Sequence, residues 1–231
     1  MKISLCLLTF NEIAGCKNDI PLLKKYFDKF DEIYTIDGGS KDGTIEFLKE
    51  EGIPVHIQPT RGLNAACHFA VEKCTTDAVI FFHPKGTIPV EDTLKFRELF
   101  EAGNDFVIGS RIIKGAVNEE DKQFLKPRKW FVMGLAMLSA TLFKRENKIL
   151  WDVLHGFRGV TLEGYKKMGL KDEGMVTIDI EMVSRSYKAK IKSIEFPTTE
   201  CPRIAGETHF KAIPTGIKIL KYIKREINRK D

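Results

Sequence analysis

Three short polar stretches, each directly after an apolar run, hold the side chains best suited to chemistry. Thr9, Asn11 and Glu12 follow Ile3–Leu8, and Asp37 with Gly38, Gly39 and Ser40 follows Ile33–Ile36. His83 and Lys85 follow Ala78–Phe82. Carboxylates and amides at such places suit the hydroxyl and N–H groups of a ligand. In an open α/β sheet, ligands bind outside the carboxyl ends of the strands, so the turn at Asp37 is a candidate pocket wall. Gly39 lets a ligand approach the backbone there. Further on, Asp179 and Glu181 form a carboxylate pair before a helix. One of them is a candidate general base for a hydroxyl substrate; equally, both favour a helix N-terminus.

The elements that position these residues follow from periodicity. Ile3–Leu8, Ile33–Ile36, Pro54–Ile57, Ala78–Phe82 and Asp105–Gly109 read as buried strands. Between them Ile20–Phe30, Thr44–Glu50, Leu63–Cys74 and Glu91–Glu101 read as helices, with Asp42 or Thr44 capping the second. That alternation predicts an α/β fold with a mostly parallel sheet and helices on both faces. Residues 114–129 are polar and predict a mobile loop, and Trp130–Phe143 predicts an apolar helix facing the core, a lipid or a partner. It falls short of the ~20 residues that span a bilayer. Ile191–Phe196 reads as a late strand. Ile213–Arg229 reads as an amphipathic basic helix with Ile217, Leu220, Ile223 and Ile227 on one face. The domain division expected is 1–212 for the α/β domain and 213–231 for this helix, which can lie on an anionic membrane surface.

Composition fits a globular protein: 231 residues, 43% hydrophobic and 30% charged. The five cysteines are scattered without a CxxC pair, which predicts reduced cytosolic thiols acting as small buried hydrophobes. Met1–Leu8 is too short for a signal-peptide core and runs into a polar turn. The net charge of +5 is a C-terminal feature: from Pro202 onward eight basic residues oppose three acidic ones, while residues 1–201 balance at 29 each. An anionic partner at that end is expected, and nothing calls for nucleic acid.

Four blocks together resemble the family-2 glycosyltransferases of GT-A fold, and within them the polyprenyl (dolichyl)-phosphate sugar synthase branch. They are Ile3–Glu12, Ile36–Thr44, Asp152–Arg158 (Asp-Val-Leu-His-Gly-Phe-Arg) and Arg203–His209 (Arg-Ile-Ala-Gly-Glu-Thr-His). The resemblance implies a nucleotide-sugar donor, with Thr9, Asn11, Glu12 and Asp37 lining the base and ribose pocket and Arg61 near the nucleotide. It implies Arg111, in Gly109-Ser110-Arg111, as a ligand of the acceptor lipid phosphate, with Arg128 and Arg203 as candidates for the same role. Asp152 belongs to the implied catalytic block.

The family places Asp-x-Asp after the fourth strand to hold a divalent metal (Mg²⁺ or Mn²⁺) against the donor diphosphate. Here His83 and Lys85 stand at those positions, and Gly38 replaces a further acid. An ammonium is no metal ligand but pairs with phosphate, so a weakened or absent metal requirement is expected. The expected activity is inverting sugar transfer to a polyprenyl phosphate at the cytoplasmic membrane face. The alternatives are a soluble transferase acting on a sugar hydroxyl and a non-catalytic nucleotide-sugar-binding subunit. No oligomeric state is implied.

Overall fold

A computed structural model describes residues 1–144, 148–171, 178–205 and 212–229. The expectations for Gly206 to His209 lie outside the described residues. Among the described residues seven strands form one sheet: β1 (Ile3–Thr9), β2 (Glu32–Asp37), β3 (Val55–Ile57), β4 (Ala78–Phe82), β5 (Phe106–Ser110), β6 (Arg158–Thr161) and β7 (Ser193–Pro197). Their order is β3-β2-β1-β4-β6-β5-β7. β6 alone runs antiparallel to its neighbours β4 and β5, and the other pairings are parallel.

This topology gathers the polar stretches at one edge. Six strands end there, and β6, being reversed, begins there. The turns after Thr9, Asp37, Phe82, Ser110 and Pro197 therefore meet the segment before Arg158. Chain order departs from β1 in both directions, towards β2 and towards β4, so the switch point of the sheet lies between the ends of β1 and β4.

Among the described residues eight helices cover the sheet: α1 (Ile13–Leu23), α2 (Thr44–Glu50), α3 (Leu63–Lys73), α4 (Lys95–Glu101), α5 (Pro127–Phe143), α6 (Leu162–Met168), α7 (Ile178–Lys188) and α8 (Ala212–Asn228). Alternation along β1 divides its side chains. Leu5 and Leu7 join the core containing Cys16, Ile20 and Leu48, while Cys6 and Leu8 join the core of α3, α5, α7 and α8. Strands covered on both faces read as unbroken apolar runs, which is why they were legible.

Several expectations are corrected. The first helix begins at Ile13, and residues 24–29 tighten into a 3₁₀ turn. Gly15, Asn18 and Asp19 are poor helix formers and hid its start. Residues 114–129 are tied down: Val117 bridges Thr199, Asn118 and Asp121 form a capping box, and α5 starts at Pro127. Gly43 occupies the N-cap of α2; Asp42 instead accepts from Thr44 and from the Ile13 N–H. Four cysteines are buried, but Cys201 is exposed.

α8 buries Ile219, Tyr222, Ile223 and Glu226, so of the expected stripe only Ile223 faces inward. Glu226, 1% exposed, takes Arg185 at 2.9 Å and Lys188 at 3.1 Å, tying α8 to α7. Ile217, Leu220 and Ile227 remain more than half exposed. From Trp130 onward α5 carries only Ser139 and Thr141 as polar side chains. Val132, Leu135, Ala136 and Ala140 are buried, whereas Trp130, Phe131 and Met137 stay exposed. No described helix is long and apolar enough to cross a membrane.

Candidate active site at the carboxyl edge of the sheet

Register places Thr9 opposite Asp37, so the first two turns are joined at their roots. Thr9 donates to Asp37 at 2.6 Å, and the same carboxylate accepts from the Gly39 N–H, the Ser40 N–H and the Ser40 hydroxyl at 2.7–2.8 Å. Asp37 is fully buried. Its carboxylate therefore shapes the turn, and Gly39, at φ 86°, presents backbone to the outside. Asn11, itself at φ 49°, accepts from the Lys41 N–H and donates its own N–H to Ser40. At the position of the family's further acid, a Cβ on Gly38 would lie 2.9 Å from the Phe10 ring. The Gln58 N–H bonds the Asp37 carbonyl and brings the loop carrying exposed Arg61 to the same edge.

Across the switch point, His83-Pro84-Lys85-Gly86 is clamped against α1. A Cβ on Gly15 would sit 2.1 Å from the Pro84 carbonyl oxygen, so only glycine admits this approach. Asp19 accepts the Gly86 N–H at 2.9 Å, and burial raises the pKa of its carboxyl despite that bond. The His83 ring packs on Gly156, whose Cβ would be 2.6 Å from Nε2. Burial first, then the Lys85 charge, lowers the His83 pKa well below the ordinary histidine value, so the ring is neutral at pH 7.

The implied metal does not fit this donor set. Lys85 offers no lone pair while protonated, and one packed imidazole is not the oxygen cage that Mg²⁺ requires. Among the described residues no cluster of three His, Cys, Asp or Glu side chains could hold an ion.

Arg111 is a second centre. Asp152, fully buried, grips its Nε and Nη2 at 2.9 Å and its backbone N–H at 2.8 Å. Glu200 takes Nη1 at 3.0 Å. Burial works against both charges of the Arg111–Asp152 pair. The pairing prevails and holds the Asp152 pKa well below the usual carboxylate range and the Arg111 pKa above its ordinary value. Glu200 keeps a raised pKa, because burial outweighs Arg111. His155 donates from Nδ1 to the Gly109 carbonyl at 2.5 Å, and burial with the nearby Arg111 pushes its pKa down to about 3. Phe157 anchors this segment in an edge-to-face cluster with Phe82, Phe96 and Phe196.

Arg203 donates to both oxygens of Glu12 at 2.6 and 2.7 Å, across the mouth of the crevice. Arg128 is exposed, pairs with Glu119 at 2.6 Å and lines an open groove with Gln123 and Pro202. Asp179 and Glu181 do not face one pocket, because residues two apart on a helix point to different sides. Asp179 lies 3.4 Å from Arg158, whose guanidinium also binds the carbonyls of Asp179 and His155. Glu181 is buried and accepts from Asn64, which in turn accepts the Ile178 N–H at the start of α7.

Sequence reasoning did not single out Asn64, Asp19 or Glu200 as site residues. Only the capping-type chemistry of Asn64, just inside α3, offered a signal.

The strand order, the single reversed strand and the polar loops gathered at one edge define a GT-A fold. The Glycosyl transferase family 2 profile matches residues 4–171. The chain belongs to that family and is a glycosyltransferase. Glycosyltransferase AglJ of Haloferax volcanii is 28% identical over 221 residues, covering 92% of this chain and 68% of that protein. Dolichol-phosphate mannosyltransferase of Pyrococcus furiosus is 25% identical over 237 residues, 97% of this chain and 62% of that protein. The chain thus spans about two thirds of the length of these relatives. Among solved structures, glucosyl-3-phosphoglycerate synthase from Mycobacterium tuberculosis with Mn²⁺, uridine diphosphate and phosphoglyceric acid superposes with a TM-score of 0.73. It is 13% identical, and the match covers all of this chain and 80% of that one.

Proposed function

We propose that the chain moves a sugar, with inversion, from a nucleotide-sugar to a polyprenyl phosphate at a membrane surface. The observation that carries the lipid acceptor is the exposed apolar face of α5 beside α8. Trp130, Phe131 and Met137 lie open on α5, and Ile217, Leu220 and Ile227 lie open on α8 among Lys218, Lys221, Lys224 and Arg225. Phe131 approaches Gly216 closely enough that a Cβ there would be 3.6 Å from its ring, so the two helices are neighbours. Apolar side chains ringed by lysine and arginine match the interface of an anionic bilayer. The name of the Pyrococcus relative agrees with such an acceptor.

Thr9–Glu12, the Asp37 turn and Arg61 would form the nucleotide side, with Asp37 holding the turn in shape. The acceptor phosphate oxygen attacks the anomeric carbon. As that bond forms, the carbon–oxygen bond to the donor diphosphate breaks and its electron pair leaves with the diphosphate. A phosphate acceptor is ionised near neutral pH and needs no base. Arg111 would orient it, pre-set by Asp152. Were the acceptor a hydroxyl, the base would be Asp179, since Glu181 is buried against Asn64.

The test combines a transfer assay with vesicle co-sedimentation. Nucleotide-sugars are offered with polyprenyl phosphate, a soluble phosphate or a glycan hydroxyl. Ile217→Glu with Leu220→Glu should abolish sedimentation with anionic vesicles and selectively lower transfer to lipid. Equal transfer to a glycan hydroxyl, or no vesicle binding by the unaltered protein, refutes the lipid reading.

A further inference from the structure

At the mouth of the crevice between β1 and β4, the half-buried ammonium of Lys85 makes no hydrogen bond or ion pair with a described residue. Its neighbours are charged but otherwise engaged. Glu12 holds Arg203 at 2.6 Å, Glu200 holds Arg111 at 3.0 Å, and Asp179 lies 3.4 Å from Arg158. Burial and the adjacent Arg203 lower the Lys85 pKa, while Glu12, Asp179 and Glu200 act in the opposite direction.

The loop that carries Lys85 is fixed. Gly15 receives Pro84, Asp19 holds the Gly86 N–H, and the Thr87 carbonyl accepts the Cys201 N–H at 2.7 Å. Gly86, at φ 67°, is covered by Ile204, whose Cδ1 would lie 2.1 Å from any Cβ there. Withdrawing an ammonium from water without a partner is costly, and the fixed loop keeps the root of the Lys85 side chain at this place. The arrangement makes sense when an anion supplies the partner, at the point of the sheet where ligands of α/β folds bind.

We propose that the Lys85 ammonium binds the diphosphate of the nucleotide-sugar in place of a divalent cation, so that donor binding needs no metal. The inference rests on the nucleotide-sugar reading above. During transfer the ammonium meets the charge that grows on the leaving diphosphate as the anomeric carbon–oxygen bond breaks. No proton has to move for this.

Calorimetric titration of the full chain with UDP, GDP, ADP and CDP, in EDTA and again in Mn²⁺, tests it. At least one diphosphate should bind with an affinity that EDTA leaves unchanged within about twofold. Lys85→Met should weaken that binding by about 10- to 100-fold, the range of a charge-assisted hydrogen bond. It should leave binding of the corresponding nucleoside, and thermal stability, intact. Lys85→Arg should recover part of the loss.

Diphosphate binding that vanishes in EDTA and returns with Mn²⁺ overturns the proposal while sparing the donor reading. Unchanged affinity in a folded Lys85→Met variant does the same. Failure of every nucleotide to bind the unaltered protein in both buffers overturns the donor reading and the proposal together.

Discussion

Gly15→Ala is the sharpest perturbation of the site, because it adds one methyl group without altering a charge. The new Cβ would stand 2.1 Å from the Pro84 carbonyl oxygen and 2.8 Å from the Lys85 Cα. Carbon–oxygen contacts settle near about 3.3 Å, so helix and loop must part by roughly 1 Å. Both are anchored, α1 through Cys16 and Ile20 in the core and the loop through Asp19. Overpacking of this kind costs about 1–3 kcal/mol. Alanine recovers roughly 0.5–1 kcal/mol of that over glycine inside a helix. The net loss of up to about 2.5 kcal/mol corresponds to a Tm lower by up to about 10 °C for a chain of this size. A displacement of Lys85 by ~1 Å should lower transfer by up to ~100-fold. Circular-dichroism melts and the transfer assay measure both. Gly134→Ala in α5 is the control: nothing lies within 4 Å of its Cβ, so it should stabilise the protein and leave transfer unchanged. A Gly15→Ala protein that melts with the wild type and keeps its rate refutes the packing argument.

Other consequences follow from the same geometry. Asn64→Ala removes the bonds to Ile178 and Glu181, and should lower stability by about 1–2 kcal/mol, or about 2–8 °C in thermal melts. Glu200→Gln leaves Arg111 with Asp152 as its remaining ionised partner, and should lower the KM for a phosphate acceptor roughly three- to tenfold, about 1 kcal/mol. A raised KM would show that Glu200 does not compete for the guanidinium. The His155 pKa, about 3 in the folded chain, lies below the ordinary value of 6.5. The unfolded chain therefore binds more protons between these values, and stability should fall as pH drops from about 6.5 towards 3. His155→Asn should flatten that slope in denaturant titrations read at several pH values.

Much of the fold was readable because parallel strands buried on both faces are unbroken apolar runs. β6 was not readable. Arg158-Gly159-Val160-Thr161 looks nothing like a core strand, yet Arg158 is 1% exposed because its N–H groups bond the carbonyls of His155 and Asp179. Gly159 is needed there because Phe96 would lie 2.8 Å from any Cβ. On α8 two apolar stripes compete, and hydrophobicity alone favours the exposed one. The buried one is chosen by Glu226, through Arg185 and Lys188 on α7. Asp37 could be placed from sequence, but its inward orientation depends on Thr9, Gly39 and Ser40 acting together. The pairings of Glu200 and Asn64 were invisible for a simpler reason: their partners are 89 and 117 residues away.

The charges at the carboxyl edge then separate into two kinds. Guanidinium groups partly or wholly withdrawn from water are stabilised by counter-charges, and this chain supplies them itself: Asp152 and Glu200 to Arg111, Glu12 to Arg203, Asp179 to Arg158. Each such pair can be stable without ligand, so its presence says little about where substrate charge will sit. Lys85 differs because its loop is held as firmly as the arginines are, by Gly15, Asp19 and Ile204, yet no described carboxylate reaches it. Removing the Arg111 charge should therefore disturb folding as well as transfer, whereas removing the Lys85 charge should disturb transfer alone. That contrast between two cations at one sheet edge is what distinguishes a charge positioned for the fold from one positioned for the substrate.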